Sequence, residues 1–104
     1  MGEIGNSIVT ILSRIPPGRV VSYGQVAAMA GLRNGARTVA RVLHSSSSSL
    51  GLPWWRVLRA DGTIALPRGG GFEEQAALLA AEGIAISRTG AVDLGRFAWD
   101  GRGG

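Results

Sequence analysis

Ile4, Ile8, Ile11, Leu12 and Ile15 recur at the three- and four-residue spacing of one helix face, and Pro16-Pro17-Gly18 closes the run. The pattern predicts a first helix over 4–15. Val20-Val21 then lead into Ser22-Tyr23-Gly24-Gln25, which has the Ser-x-x-Gln form of a capping box. A second helix is expected from Tyr23 to about Ala30, stopped by Gly31, with a short turn over 32–35. A third helix carries Arg37-Thr38-Val39-Ala40-Arg41-Val42-Leu43. Two short helices joined by a glycine-containing turn suggest a helix-turn-helix.

Beyond it, the uninterrupted serine run Ser45–Ser49 reads as a loop or flexible tether. Arg56-Val57-Leu58-Arg59 and Thr63-Ile64-Ala65 are expected to form a small hairpin around Asp61-Gly62. Pro67 to Gly71 is a glycine-rich loop, and 73–82 is a helix closed by Gly83. Short extended pieces fill 84–99, with Trp99 expected in the core, and no internal repeat is present. The predicted fold is mostly α: one small domain over 1–104, with a winged-helix-like helix-turn-helix core, a short β-hairpin, and flexible ends at 1–3 and 100–104.

Composition narrows the chemistry more than the fold. With 104 residues, 45% of them hydrophobic, the chain can build one core but not two. It contains no cysteine, which removes disulfides, thiolate catalysis and cysteine-bound zinc together. His44 is the lone histidine and cannot make a metal site by itself; it is expected to be exposed or hydrogen-bonded, without a catalytic role. No cofactor or metal is implied. There is no signal-peptide pattern and no apolar run long enough to cross a bilayer, so the expected location is cytoplasmic and nucleoid-associated, with no membrane partner.

The formal charge is +4, and all eleven basic residues are arginines. A GC-rich genome gives the same bias as nucleic-acid binding, so position matters more than number. Arg33, Arg37 and Arg41 fall in one segment, and Arg56, Arg59 and Arg68 flank the Trp54-Trp55 pair, whereas Glu73, Glu74 and Glu82 lie in the C-terminal third. A basic face for DNA is the expected outcome.

Pro53-Trp54-Trp55-Arg56-Val57 resembles the Pro-Cys-His-Arg-Val reaction centre of the O6-alkylguanine-DNA alkyltransferases, with tryptophans in place of the cysteine and histidine. The likeness extends over Ile15 to Trp99 in several ordered motifs. These are Ile15-Pro16-Pro17-Gly18-Arg19-Val20-Val21-Ser22-Tyr23-Gly24-Gln25-Val26-Ala27, Ala36-Arg37-Thr38-Val39, Asp61-Gly62 and Leu78-Leu79-Ala80-Ala81-Glu82-Gly83. It is greatest for the family's alkyltransferase-like branch, in which the acceptor cysteine is absent. A thiolate activated by a neighbouring histidine can accept an alkyl group; an indole cannot. The resemblance therefore implies a non-enzymatic sensor of O6-alkylguanine in double-stranded DNA. Such a protein binds the minor groove as a monomer, flips the lesion into a pocket and hands it to nucleotide excision repair proteins.

By the same resemblance, Tyr23 crowds the target phosphate and Arg37 enters the stack where the base has left; Thr38 is counted among the DNA-binding residues, and Arg41, one turn after Arg37, is expected to contact phosphate. Pro53, Trp54, Val57 and Arg68 are expected to line the lesion pocket, Trp54 as a wall and Arg68 beside the purine O6. Trp55 is expected to be structural, facing away from Trp54. Four positions bear on the family pattern. Ala40 replaces a glycine, Ser46 replaces the asparagine that supports the active-site turn, and Pro67 replaces a pocket tyrosine; Glu82 is kept without its histidine partner and is expected to cap or to pair with an arginine. Two rival functions stay open on the sequence: an enzyme acting on the flipped base, and a helix-turn-helix regulator without lesion specificity.

Overall fold

The computed structural model describes residues 2–102. The part of the expected flexible ends at 1, 103 and 104 lies outside the described residues. Helix α1 (Glu3–Ser13) buries Ile8 and Leu12 and stops before Pro16, as the apolar spacing predicts. Strand β1 (Val21–Ser22) runs directly into α2 (Tyr23–Met29), because Ser22 keeps extended backbone while its Oγ accepts from the Gln25 N–H at 3.0 Å. The capping box is only half made. The Gln25 side chain reaches instead across the chain, donating from Nε2 to the Trp99 carbonyl at 2.6 Å.

The connection from α2 to α3 (Ala36–Leu50) is tight. Asn34 takes a left-handed conformation, φ 52°, that asparagine tolerates better than most residues. A Cβ at Gly35 would meet the Leu32 and Ala27 Cβ atoms at 2.7 and 3.0 Å, so glycine lets the turn fold down on α2.

The serine run is not a loop. It forms the second half of α3, which ends at Gly51 with φ 64°. Val39, Leu43 and Ser46 continue one buried stripe, so a small hydroxyl residue occupies the third core-facing position. The Ser45 and Ser49 hydroxyls fold back on the carbonyls of Val42 and Ser46, both at 3.3 Å, rather than drawing the chain out of the helix. The Ser46 hydroxyl has Ser45 Oγ at 3.3 Å as its partner.

The expected hairpin is replaced by a longer-range pairing. Strand β2 (Val57–Leu58) pairs in parallel with β1, Val21 opposite Val57 and Ser22 opposite Leu58. The Asp61-Gly62 turn is present, closed by the Arg59 N–H on the Thr63 carbonyl at 2.9 Å, but Thr63 then bridges to Ala91. The two-residue strands form a wall between two cores. Val21 and Val57 face a core made with Ile8, Leu12, Val26 and Val39. Val20 and Leu58 face a second core with Ile64, Leu79 and Ile84. Alternation along a strand sends neighbours to opposite sides, and here each side is a separate apolar cluster. Helix α4 (Phe72–Ala81) and the one-turn α5 (Leu94–Phe97) complete the second half. Trp99 is buried against the first core, as expected.

Candidate lesion pocket and DNA interface

Trp54 and Trp55 occupy a single 3-10 turn, Trp54–Arg56, rather than an extended segment. Their rings nevertheless diverge, with centroids 6.1 Å apart and planes at 89°. Trp54 packs on the first core and Trp55 on the second. The Trp55 side is closed by a polar cluster around Glu82. Its carboxylate accepts from Trp55 Nε1 at 2.9 Å, from the Gly18 N–H at 3.0 Å and from Arg56 Nε at 3.0 Å. Arg56 also donates from Nη1 to the Ile15 carbonyl at 2.9 Å, and its guanidinium lies 5.1 Å from the Trp55 ring centre. Burial pushes the Glu82 carboxyl up, but the hydrogen bonds from Arg56, Gly18 and Trp55 outweigh it and hold the group below its ordinary value. Arg56 is thus a partly buried structural cation, not part of a DNA-facing surface.

The Trp54 side opens on a cavity of about 350 Å³, within the range of small-ligand sites. Trp54 and Tyr23 line it together with Leu66 and Gln75, and Ala40, Leu43, His44 and Ser47 of α3 complete the wall. Of the four expected pocket residues, Trp54 alone is in the lining. Pro53 and Val57 are buried behind it, with the Val57 N–H spent on the Trp54 carbonyl. The Val57 carbonyl accepts from Gln75 Nε2 at 3.1 Å. Arg68 is displaced from the expected place. Its guanidinium stacks 4.4 Å from the Phe72 ring centre and donates from Nη2 to the Arg88 carbonyl at 2.6 Å. Exposed arginines seek the nearest aromatic face and free carbonyl, and here both lie on the α4 side of the loop.

The α3 wall of the cavity continues into an exposed helix face that carries arginines. Arg37, Ala40, Arg41 and His44 share the exposed face of α3, and Ala40 and His44 belong to both the face and the cavity. Arg37 stands one turn before Ala40. Among the described residues, the ion pair of Arg56 with Glu82 is the only one, so Arg33, Arg37 and Arg41 project without an acidic neighbour. Thr38 is half-buried on the same turn. Burial raises the Tyr23 phenol above its ordinary value, against a smaller opposing pull from Arg59, so Tyr23 keeps its proton and can donate to an anionic oxygen.

Gln75 and Leu66 were invisible as site residues in the sequence. A polar residue in an amphipathic helix reads as solvent-facing, yet Gln75 is 2% exposed. No cluster of three or more His, Cys, Asp or Glu side chains suited to a metal occurs among the described residues, and no helix there is long and apolar enough to cross a membrane.

Comparison with known proteins places this geometry. Residues 3–84 match the family model for the DNA-binding domain of 6-O-methylguanine DNA methyltransferase. A DNA base-flipping protein of Escherichia coli is 41% identical over 90 residues, spanning 86% of this chain and 69% of that protein. Alkyltransferase-like protein 1 of Schizosaccharomyces pombe is 30% identical over 90 residues, with 86% and 83% covered. The structure of S. pombe Atl1 in complex with damaged DNA containing O6-carboxymethylguanine superposes with a TM-score of 0.85 at 28% identity, covering 96% of this chain and 97% of that one. The chain therefore belongs to the O6-methylguanine-DNA methyltransferase family through its DNA-binding domain, in the alkyltransferase-like branch, and itself contains no cysteine.

Proposed function

We propose that the protein is a non-enzymatic sensor of O6-alkylguanine in double-stranded DNA. The observation that carries this reading is the cavity bounded by Trp54 and Tyr23, with exposed arginines on the same face of α3 as its lining residues Ala40 and His44, and no thiol anywhere in the chain. α3 approaches the minor groove with Arg41 and Thr38 on the backbone. Tyr23 donates its phenolic proton to the phosphate of the rotating nucleotide, and Arg37 fills the vacated stack. Extrusion costs a few kcal/mol, less for a damaged base that pairs poorly, which favours the lesion before any pocket contact is made. The base then lies against Trp54, where stacking contributes roughly 1–3 kcal/mol. Arg68 reaches O6 if it exchanges Phe72 for the purine face, a swap of one aromatic surface for another. Nothing is transferred, so the complex persists as a flag for nucleotide excision repair, with the protein acting as a monomer.

Titrating matched duplexes with O6-methylguanine or guanine at one position tests the reading, with the masses of protein and DNA followed in parallel. Tighter binding to the lesion with both masses unchanged is the expected result. Equal affinities would favour a regulator without lesion specificity, and a lost methyl group would make the protein an enzyme.

Trp54→Cys is expected not to restore alkyl transfer. Trp55 offers a donor already committed to Glu82 and no basic nitrogen, so a thiol at position 54 has no neighbour to take its proton. Protein methylation by that variant at a rate comparable to a true alkyltransferase would show that the thiol was the only missing part.

A further inference from the structure

Gln75 is nine-tenths buried or more, lies in the wall of the Trp54 cavity, and is used on only one side of its amide. Its Nε2 donates to two main-chain carbonyls, Trp55 at 3.0 Å and Val57 at 3.1 Å. Those two bonds fix which end of the amide is nitrogen, since the reverse orientation would set oxygen against oxygen. Oε1 therefore points away from the main chain and has no protein partner among the described residues. No buried side-chain oxygen or nitrogen among them lacks a partner, so Oε1 is open to the cavity that Gln75 lines.

We infer that Gln75 Oε1 is the acceptor that reads the 2-amino group of the flipped purine. The inference rests on the lesion-pocket reading and adds a specificity-determining residue to it. An O6-alkylated guanine has lost its N1 proton, so its exocyclic amine carries the N–H donors left on the base edge. Adenine has only a C–H at that position. Once a base fills the cavity, a fixed acceptor in its wall loses access to water and is costly to leave unpaired, so the site rejects ligands that lack the donor. The cavity then selects 6-substituted purines that also bear an amine at C2. It selects for the guanine skeleton and leaves detection of the alkyl group to other contacts.

The test compares duplexes carrying O6-methylguanine, guanine, or O6-methylhypoxanthine, which is the same lesion without the 2-amino group. Each base is set opposite an abasic site, so that pairing strength does not enter. Wild-type protein is expected to bind O6-methylhypoxanthine about tenfold more weakly than O6-methylguanine, the value of one good hydrogen bond to a buried acceptor. Gln75→Lys keeps donors for the Trp55 and Val57 carbonyls but offers no acceptor, and Gln75→Met offers neither. Either variant, if its thermal transition remains cooperative, is expected to bind the two methylated bases with nearly equal affinity. Equal binding of those two bases by the wild type overturns the inference even if neither variant folds. A tenfold preference that survives in a folded Gln75 variant overturns it as well, by assigning the amine to another acceptor. Failure of the wild type to prefer O6-methylguanine over guanine in fully paired duplexes would instead remove the lesion-sensor reading itself.

Discussion

Replacing Arg37 by alanine is expected to weaken binding to an O6-methylguanine duplex by about 100-fold, while the protein unfolds at almost the same temperature. Arg37 is exposed on the outer face of α3 and has no acidic partner among the described residues, so its removal takes away no packing or ion pair. Substitutions at such positions change stability by no more than about 0.5 kcal/mol. In the proposed complex the same side chain does two things at once. Its planar guanidinium fills the gap in the base stack, and its fixed donors reach the base left without a partner. A desolvated stacking contact of about 1–2 kcal/mol and a charge-assisted hydrogen bond of about 1.5–3 kcal/mol together cover the expected loss, which lies at the lower end of their sum. Lysine keeps the charge but neither the plane nor the fork, so Arg37→Lys is expected to resemble alanine more than wild type. Arg41→Ala is the internal control. If Arg41 only neutralises a phosphate, its loss weakens damaged and undamaged DNA alike and lowers the salt slope by about 0.9. Quantitative binding at several salt concentrations separates the two behaviours. An Arg37→Ala protein within threefold of wild type on the lesion would end the case for a stacking role.

The elements that were legible in the sequence are those whose signals are local. The Ile4–Ile15 spacing, the prolines after it, and Ser22 three residues before Gln25 determine α1 and α2 from within a few residues. The serine run misled because serine is indifferent to helix and loop. Its state is decided by Ser46 lying under the same core as Val39 and Leu43, and by Gly51 supplying the cap. The β1–β2 pairing joins residues separated by α2 and α3, and no local pattern could announce it. At the site, motifs spread from Ile15 to Trp99 single out Tyr23 and Trp54, and the structure brings both to one cavity. Without DNA, Arg68 rests on Phe72 and the Arg88 carbonyl, because a long flexible cation settles on a nearby ring and carbonyl that sequence order does not rank. Gln75 was missed for the opposite reason. Its burial depends on Trp55 and Val57 presenting two carbonyls to one face of α4, a coincidence of tertiary packing.

The largest effect on stability is expected at Glu82. One carboxylate there holds the Arg56 guanidinium, the Trp55 indole N–H and the Gly18 main-chain N–H in a region where the two charged side chains are only 11% and 14% exposed. Glu82→Ala leaves an arginine and two N–H donors without their acceptor, and removing one partner of a buried pair costs about 3–5 kcal/mol. In a domain of this size that lowers the unfolding midpoint by more than about 10 °C. Glu82→Gln keeps the shape and part of the acceptor capacity, so its loss is expected to be smaller. It also isolates the charge. Because the folded protein holds the carboxyl below its ordinary value, the charge contributes stability above the unfolded-state pKa, and that contribution is lost as pH falls through the lower, folded value. Denaturant melts between about pH 3 and 7 are therefore expected to show wild type losing its advantage over Glu82→Gln at the acid end, below the ordinary glutamate range near 4.3. Curves that stay parallel across that range would mean the cluster is not held by the ionised carboxylate. The consequence reaches the site through Trp55, whose indole is fixed by Glu82 and whose ring stands edge-to-face against Trp54. Glu82 would then serve to hold the pocket wall upright. That predicts weaker lesion binding by Glu82→Gln under conditions where the variant is still fully folded.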